Sequence, residues 1–396
     1  MSPAASSSAG SPAQARLALG FSGIGHAYAH IFEPIFFLVA LVLPQEFGLS
    51  YQEALALIIA GKLLYGLAAP AAGWLGDRWS TVGMMGVFFL GLGGAAVAAG
   101  LAPSPWTLAA ALTLVGLFGS IYHPVGTAWL LANAVDKGKA IGLNGVFGGV
   151  GPALATAAAG LLTAEWGWRA AFIVPGVLVI VTGLAFLALV ARGTLRDRHV
   201  DRRPEPPAER GDALRAGLVL SATMLGAGLI AQSLPPVLPK LFAERLGNDG
   251  LLAAAGAVSL VYFVAGLSQI GAGHLADRFP PRRVYLLAAL LQAPLLAGLA
   301  VAGGPALLLV GLLAVSVNMA GIPAENVLLA RYSPARWRGT AFGLKFVLSF
   351  GVSSLAVPLV SLLYGATGGF TLLLGLLAGL ALAVAAAATL LPRDRG

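Results

Sequence analysis

Long apolar runs separated by short polar turns make up the chain from residue 17 to residue 391. A run of about 20 apolar residues is long enough to cross the hydrocarbon core of a bilayer as an α-helix. A membrane β-strand would instead alternate apolar and polar positions over about 10 residues, and residues 372–391 are apolar almost throughout. The pattern predicts twelve membrane-spanning helices, at residues 17–44, 51–72, 82–101, 105–131, 139–163, 168–191, 213–240, 250–272, 283–302, 305–330, 338–364 and 368–391.

One long polar segment interrupts this pattern near the middle of the chain. Its many prolines and charges favour a flexible linker between two halves of six spans each. We therefore predict an all-α membrane protein built from two six-helix pseudo-repeats. The predicted parts are a disordered cytoplasmic tail at 1–15, an N-terminal bundle at 16–191, a cytoplasmic linker at 192–212, a C-terminal bundle at 213–391 and a cytoplasmic tail at 392–396.

The composition excludes a soluble protein. Hydrophobic residues make up 58% of the chain and charged residues only 10%, with a mean hydropathy of +0.87, whereas soluble domains carry about 25% charged residues. The first 15 residues lack the apolar core of a cleavable signal peptide, so we expect the tail to be retained. The chain has no cysteine, which excludes disulfides, thiolate metal sites and a cysteine nucleophile.

Basic residues indicate the orientation in the membrane. With the N-terminus inside, most of the 24 Lys and Arg fall on the cytoplasmic side, and the outer loops hold only Arg169, Lys240 and Arg245. This asymmetry predicts a multi-pass protein of the bacterial cytoplasmic (inner) membrane with both termini in the cytoplasm. The net charge of +8 is therefore a topology signal, and no nucleic-acid partner is expected.

A short acid–base turn occurs twice, at the same point of each half. The sequence GWLGDR at residues 73–78 corresponds to GHLADR at 273–278, and GKAIGL at 138–143 corresponds to GTAFGL at 339–344 with nearly the same spacing. Two pairs of matching segments, separated by nearly the same number of residues, indicate a parallel duplication. Parallel six-span halves around a midplane site are an architecture of secondary transporters.

These residues resemble the major facilitator superfamily, whose signature after the second span is a Gly-x-Leu-x-Asp-Arg turn. The resemblance implies that the turn's acid braces the neighbouring half when the inner gate is closed. Asp77 would then lie near Arg338 at the start of the eleventh span, and Asp277 near Lys139 at the start of the fifth. Alternatively, each aspartate caps only its own turn. The candidate gate residues are Gly73, Asp77, Arg78, Gly273, Asp277 and Arg278.

A second resemblance lies within the superfamily. YHPVG at residues 122–126 and HAYAH at residues 26–30 resemble bacterial exporters of the fosmidomycin-resistance type. The fourth span lacks, at 112–120, the arginine that many proton-coupled drug exporters carry, and residues 148–152 match the antiporter glycine–proline pattern only in part. The resemblance implies efflux.

Three ionisable residues share one face of the first span. His26, His30 and Glu33 lie at i, i+4 and i+7. Ionisable groups within a membrane are costly and usually functional, and a histidine or a buried glutamate titrates near neutral pH. The spacing predicts a proton-coupling relay. Alternatively, the histidines bond neighbouring helices and Glu33 lies near the outer surface.

Other polar residues within the spans are candidates for substrate binding. Lys62 lies at the depth of Glu33, where it either pairs with that acid or binds an anionic substrate. We expect Glu325 and Lys345 to pair across the tenth and eleventh spans. Pro124 should kink the fourth span and place its neighbours at the border of a cavity, while the amides alternatively serve helix packing. The candidate substrate-binding residues are Lys62, Tyr122, His123, Asn144, Asn318, Glu325 and Lys345.

The sequence contains no ATP-binding loop, zinc-protease motif or serine-hydrolase motif, so we predict neither an enzyme nor a cofactor or metal site. We predict instead a secondary active transporter that moves a small anionic or amphipathic molecule by alternating access, with proton-coupled efflux as the expected direction. The alternatives are import of an organic anion, or a non-transporting membrane sensor or scaffold. Protons, the small-molecule substrate and the lipid bilayer are the expected partners of a monomer.

Overall fold

The computed structural model describes residues 12–197, 210–246, 250–333 and 338–392, and these residues are almost entirely helical. A π-helical segment at Tyr122–Gly126 separates α8 from α9, and another at Val347–Gly351 is followed by a 3₁₀ turn at Val352–Leu355 between α16 and α17. The helices are α1 (Pro12–Ala29), α2 (Phe32–Val39), α3 (Leu43–Phe47), α4 (Tyr51–Ala56), α5 (Ile59–Leu67), α6 (Ala69–Arg78), α7 (Thr81–Gly100), α8 (Pro105–Gly119), α9 (Thr127–Asn133), α10 (Lys137–Trp166), α11 (Trp168–Ala191), α12 (Arg210–Arg245), α13 (Leu251–Arg278), α14 (Pro281–Val301), α15 (Gly304–Tyr332), α16 (Arg338–Phe346), α17 (Ala356–Thr367) and α18 (Thr371–Ala388).

The helices agree with the predicted membrane spans. Within the described ranges, ten segments are long and apolar enough to cross a membrane, and the segments Tyr51–Leu67 and Ala69–Arg78, bent by 44°, supply an eleventh. The first predicted span corresponds to α1 and α2, which are separated by a break. Counted with this broken span, the structure accounts for the twelve that were predicted. Most of the predicted linker at 192–212, and of the tails at 1–15 and 392–396, lies outside the described residues.

The prediction of a continuous first span was wrong, and proline explains the break. A proline ring within a helix clashes with the carbonyl group four residues earlier. Pro34 follows His30 by four residues, and the helix is interrupted at His30 and Ile31. Pro124 stands in the same relation to the end of α8. Both breaks face a cavity, where irregular backbone within a membrane protein is tolerated.

Each half packs as its own bundle, and the halves meet along two seams. In the N-terminal half α7 packs against α8 and α11, and in the C-terminal half α14 packs against α15 and α18. One seam joins α10 to α13, and the other joins α5 to the π-helical segment Val347–Gly351. The two copies of the acid–base turn have equivalent environments, because residues 71–80 and 271–280 are buried and exposed at the same positions.

Glycine permits the close approach of the halves at both seams. A Cβ atom on Gly66 would lie 2.1 Å from the backbone nitrogen of Gly351, and one on Gly266 would lie 2.7 Å from the carbonyl carbon of Gly149. Real Cβ atoms do not come this close to backbone. The seams therefore require glycine at Gly66 and Gly266.

We expect Gly66→Leu to destabilise this arrangement of the halves. Overpacking a well-packed site costs about 1–3 kcal/mol, and the neighbour here is backbone, which cannot move aside as a side chain does. The melting temperature of the purified protein in detergent should fall by several degrees. Gly94→Leu is the matched control, because no atom lies within 4 Å of a Cβ at Gly94. Equal melting temperatures for the two variants would contradict the close seam.

Direct contacts between the halves close one end of the space between them. The Tyr51 hydroxyl donates to the Pro236 carbonyl at 3.1 Å, and the Ser361 hydroxyl donates to the Gln52 carbonyl at 3.0 Å. The rings of Tyr51 and Tyr364 lie 5.3 Å apart. We call these contacts the outer seal, since the predicted topology places them outside. The opposite end, which carries the two acid–base turns, is called the motif face.

Candidate functional site

A cavity of about 1690 Å³ lies between the two halves and reaches the motif face. This volume exceeds the roughly 300–1,000 Å³ typical of pockets for drug-sized ligands. Glycine, alanine and proline contribute much of its lining. The polar and charged side chains that line it are His26, His30, Glu33, Asp77, His123, Thr127, Gln232, Tyr262, Gln269, Tyr285, Gln292, Asn318, Glu325, Asn326, Lys345 and Ser349.

A buried polar bridge connects the halves at one wall of this cavity. The Lys62 ammonium lies 2.6 Å from a Glu33 carboxylate oxygen and donates to the Gln232 amide oxygen at 2.6 Å. The Gln232 amide in turn donates to the Ser349 carbonyl at 3.1 Å. Of the two alternatives for Lys62, the structure therefore contains the ion pair. Lys62 is buried behind the lining, and Glu33 is the member of the pair that faces the cavity.

The break in the first span positions Glu33 for this pair. Because α2 starts anew at Phe32, Glu33 lies in its first turn. The partial positive charge at a helix N-terminus stabilises a carboxylate there. The carboxylate thus interacts with a helix end and with an ammonium group in one place.

A second ion pair lies in the C-terminal half. The Lys345 ammonium on α16 is 2.6 Å from a Glu325 oxygen on α15 and donates to the Asn326 amide oxygen at 2.6 Å. The Tyr285 hydroxyl donates to the other Glu325 oxygen at 3.0 Å. The predicted pairing of Glu325 with Lys345 is confirmed, and both side chains are buried where they border the cavity.

Three histidines meet in the N-terminal half. The ring centres of His26 and His30 are 5.1 Å apart, and that of His123 lies 5.3 Å from the first and 5.1 Å from the second. His123 also stacks on Phe346 and Phe350 of the other half, with centres at 4.9 and 5.7 Å. The predicted trio of His26, His30 and Glu33 is thus divided: the two histidines join His123, while Glu33 joins Lys62.

Tyr122 and Asn144 lie behind the cavity and do not border it. The Asn144 amide donates to the Tyr122 hydroxyl at 2.7 Å, and that hydroxyl donates to the Ser22 carbonyl at 2.6 Å. Tyr122 is completely buried. The expectation that it borders the cavity was wrong, because the π-helical segment directs Tyr122 toward α1 and only His123 toward the cavity. Asn318 does line the cavity.

The gate residues lie at the motif face, and the brace predicted between Asp277 and Lys139 is not formed. Gly73 and Asp77 line the cavity, while Asp77 and Asp277 are exposed, as are Arg78 and Arg278. Gly273 is partly exposed. Lys139 pairs with Asp136 at 3.6 Å instead of Asp277, and the Arg338 side chain lies outside the described residues. In this conformation the motif face is open, and the gate roles stay predictions.

Asp197 anchors the start of the predicted linker beside the first acid–base turn. Its carboxylate accepts hydrogen bonds from the Ser80 hydroxyl at 2.6 Å, the Thr81 hydroxyl and the Val82 amide at 3.0 Å. Burial alone would raise the pKa of Asp197, but these hydrogen bonds outweigh it and hold the pKa below its usual value. This anchor was not predictable from the sequence, because a single aspartate in a charged linker has no distinguishing pattern.

Gln232 and Tyr285 were also not predicted as site residues. Each completes one ion pair, and the only available signal was a polar group within an apolar span. A glutamine or tyrosine in a span is compatible with simple packing, so this signal did not separate them from other polar residues.

Two six-helix halves around a central cavity, closed at one end and open at the other, define a transporter that works by alternating access. The family model of the Major Facilitator Superfamily matches residues 18–357. The chain belongs to this superfamily, and it is a membrane transporter and not an enzyme.

Similar proteins include two drug-resistance proteins. The Multidrug resistance protein MdtG of Salmonella paratyphi C is 27% identical over 370 residues, which cover 88% of this chain and 89% of that protein. The Puromycin resistance protein pur8 of Streptomyces alboniger is 31% identical over 198 residues, 48% of this chain and 36% of that protein. This match thus spans about a third of pur8.

A solved structure with the same fold is that of a bacterial homolog to the human lysosomal transporter Spinster. In its inward-facing and occupied conformation it has a TM-score of 0.72 to this chain at 16% identity, and the match covers 96% of this chain and 95% of that one. The unoccupied inward-facing form has a TM-score of 0.69.

Proposed function

We propose that this transporter exports small amphipathic or anionic molecules and that proton entry drives the export. The observation that carries the proposal is Glu33, a carboxylate that faces a cavity open at only one end and that pairs with a buried ammonium group. The names of two relatives, a multidrug resistance protein and a puromycin resistance protein, support efflux as the direction.

The charge distribution in the cavity supports an amphipathic cargo. Each buried lysine is already paired, Lys62 with Glu33 and Lys345 with Glu325. Much of the remaining wall is apolar, and Phe346 and Phe350 are among the residues that line it. An anionic group on the cargo would approach Lys345, the ammonium group that itself lines the cavity.

Glu33 is the proposed site of proton binding. A proton added to its carboxylate removes the negative charge that holds Lys62, while Lys62 stays attached to Gln232 on the other half. Protonation would thus change the balance of contacts across the seam between the halves. Such a change at a two-state interface is what couples an ion to a conformational transition. Only Glu33 is needed for this coupling, and the relay role of His26 and His30 stays a prediction.

We expect a pH gradient to drive cargo movement in proteoliposomes, and Glu33→Gln to abolish this response. The cargo probes are puromycin and the anionic dye carboxyfluorescein, each measured with and without an imposed gradient. Glutamine resembles a permanently protonated Glu33, and its amide oxygen can still accept a hydrogen bond from Lys62, so the variant should still exchange cargo across the membrane without a gradient. Glu46→Gln is the control, since Glu46 is an exposed carboxylate paired with Arg169 at 2.6 Å.

Two outcomes would contradict the proposal. Wild-type flux that is indifferent to the gradient would remove proton coupling. Cargo movement in the same direction as the protons would replace efflux with import of an organic anion.

A further inference from the structure

We propose that His26, His30 and His123 form a binding site for a divalent first-row transition metal ion. Each ring offers one nitrogen, and these three nitrogens all lie within 4.8 Å of one another. The ring centres form a nearly equilateral triangle with sides of 5.1, 5.1 and 5.3 Å. Imidazoles that share one tetrahedral ion at about 2.0–2.1 Å have ring centres about 5 Å apart. The ring centres are therefore at the separation that a shared ion requires, and rotation of the rings would bring the nitrogens to the roughly 3.3 Å that tetrahedral bonds of this length span.

Hydrogen bonding prepares His26 to be a ligand. Its Nδ1 lies 2.7 Å from the backbone carbonyl oxygen of Asn144. A carbonyl oxygen can only accept, so Nδ1 carries the proton, and in the neutral ring Nε2 carries the lone pair. A ring N–H donated to a backbone carbonyl is the usual outer contact of a metal-bound histidine, since it fixes the tautomer and the ring orientation.

The second independent observation is an unsatisfied nitrogen in the same cluster. The Nε2 atom of His123 is buried and has no hydrogen-bond partner within the part of the chain that the structure describes. Buried polar atoms without a partner are rare and call for an explanation, and a metal ion would supply one. The nearby Tyr65 hydroxyl is also buried without a described partner, with ring centres 6.1 Å from His123 and 6.4 Å from His30.

The donor set selects the kind of ion. Neutral imidazole suits Zn²⁺, Co²⁺, Ni²⁺ and Cu²⁺, whereas Mg²⁺ and Ca²⁺ prefer oxygen ligands. The neighbouring Lys62 does not present an uncompensated positive charge, because Glu33 pairs with it at 2.6 Å. Three protein ligands leave a fourth position open, and all three histidines line the cavity, so water or a cavity ligand can occupy that position.

Sequence patterns did not indicate this site. His123 is separated from the other two histidines by nearly a hundred residues, so the three do not form a recognisable metal-binding motif. The prediction of no metal site rested on the absence of such a motif. The inference concerns metal binding by the folded protein. It is independent of the cargo and of proton coupling.

The test is a titration of the purified, tag-free protein with Co²⁺, followed by its visible absorption. We expect one Co²⁺ per chain, displaced by Zn²⁺ and not by Mg²⁺. His30→Ala and His123→Ala should each weaken Co²⁺ binding by about 100-fold or more, because each removes a direct ligand. The control is the double variant His199→Ala/His274→Ala, which removes the other two of the five histidines and should bind Co²⁺ as the wild type does.

Folding of each variant is checked by its elution volume and melting temperature. Zn²⁺ should raise the melting temperature of the wild type and of the control, because an ion that binds only the folded state stabilises it, and should not raise that of His30→Ala. Should His123→Ala fail to fold, His30→Ala decides, since the His30 ring makes no hydrogen bond in the described ranges that the substitution would break. Undiminished Co²⁺ binding by His30→Ala, or loss of binding in the control, would overturn the proposal.

Discussion

Lys62→Met is expected to abolish transport and to destabilise the protein. The lysine side chain is 5% exposed and its partner Glu33 is 27% exposed, so the variant leaves a largely buried carboxylate without its cation. Removing one member of a buried pair costs about 3–5 kcal/mol, and the partial exposure of Glu33 places this case at the lower end. Methionine keeps the unbranched stem of the side chain and lacks the ammonium group, so the loss isolates the charge and its hydrogen bond to Gln232.

A double variant separates stability from function. Glu33→Gln/Lys62→Met has no unpaired charge, and we expect it to recover most of the melting temperature lost by Lys62→Met while remaining inactive in transport. Lys240→Met is the matched control for stability, because Lys240 pairs with Glu244 at 3.4 Å in a partly exposed position and such pairs contribute less than about 1 kcal/mol. Wild-type stability and transport in Lys62→Met would refute a structural and functional role for the bridge.

Lys345→Met is expected to have the second large effect. It leaves Glu325 buried with the Tyr285 hydroxyl as its one hydrogen-bond donor among the described residues, so we again expect a loss of about 3–5 kcal/mol and loss of transport. Asn326→Ala is the milder control, since it removes one hydrogen bond to Lys345, worth about 1.5–3 kcal/mol because one partner is charged. Melting temperatures and cargo flux are measured together.

A charge swap shows which function the second pair serves. Glu325→Lys/Lys345→Glu keeps both charges in contact but moves the cation from α16 to α15. A structural pair predicts that melting temperature and transport both recover. A cation that binds cargo predicts that stability recovers while transport does not. A swap variant that is as unstable as Lys345→Met would contradict the ion pair itself.

The overall fold was predictable because a membrane permits few choices. Backbone groups in lipid must be satisfied within helices, so apolar runs could be converted into spans almost directly. The interruptions within the helices were harder to predict from the sequence. Pro34 and Pro124 break their helices, yet α10 and α15 contain Pro152 and Pro323 and continue through them. Whether a proline breaks a helix depends on the contacts around it, and a single span does not contain that information.

The site shows the same contrast between features that one span determines and features that depend on contacts between spans. The pair of Glu325 with Lys345 was predictable, and that of Glu33 with Lys62 was one of two alternatives, because an isolated charge at mid-membrane is so unfavourable that opposite charges at equal depth tend to meet. The proposed relay face assumed a straight helix through Glu33, and the break at His30 redirected that side chain toward Lys62. His123 reaches His26 and His30 only through the packing of the fourth span against the first. A contact between distant parts of the chain leaves no periodicity in the sequence.

The outer seal has a consequence for the energy metabolism of the cell. Each charge that crosses a membrane at 100 mV releases about 2.3 kcal/mol. An idle transporter with a continuous water-filled path across the membrane would therefore dissipate the membrane potential. The Tyr51 and Ser361 hydroxyls direct their protons to the carbonyl oxygens of Pro236 and Gln52. A hydroxyl that donates its proton to a protein carbonyl is not passing it to water, so the seal resists the movement of protons as well as of cargo. A cell can therefore hold many idle copies of this protein in its membrane without losing the membrane potential through them.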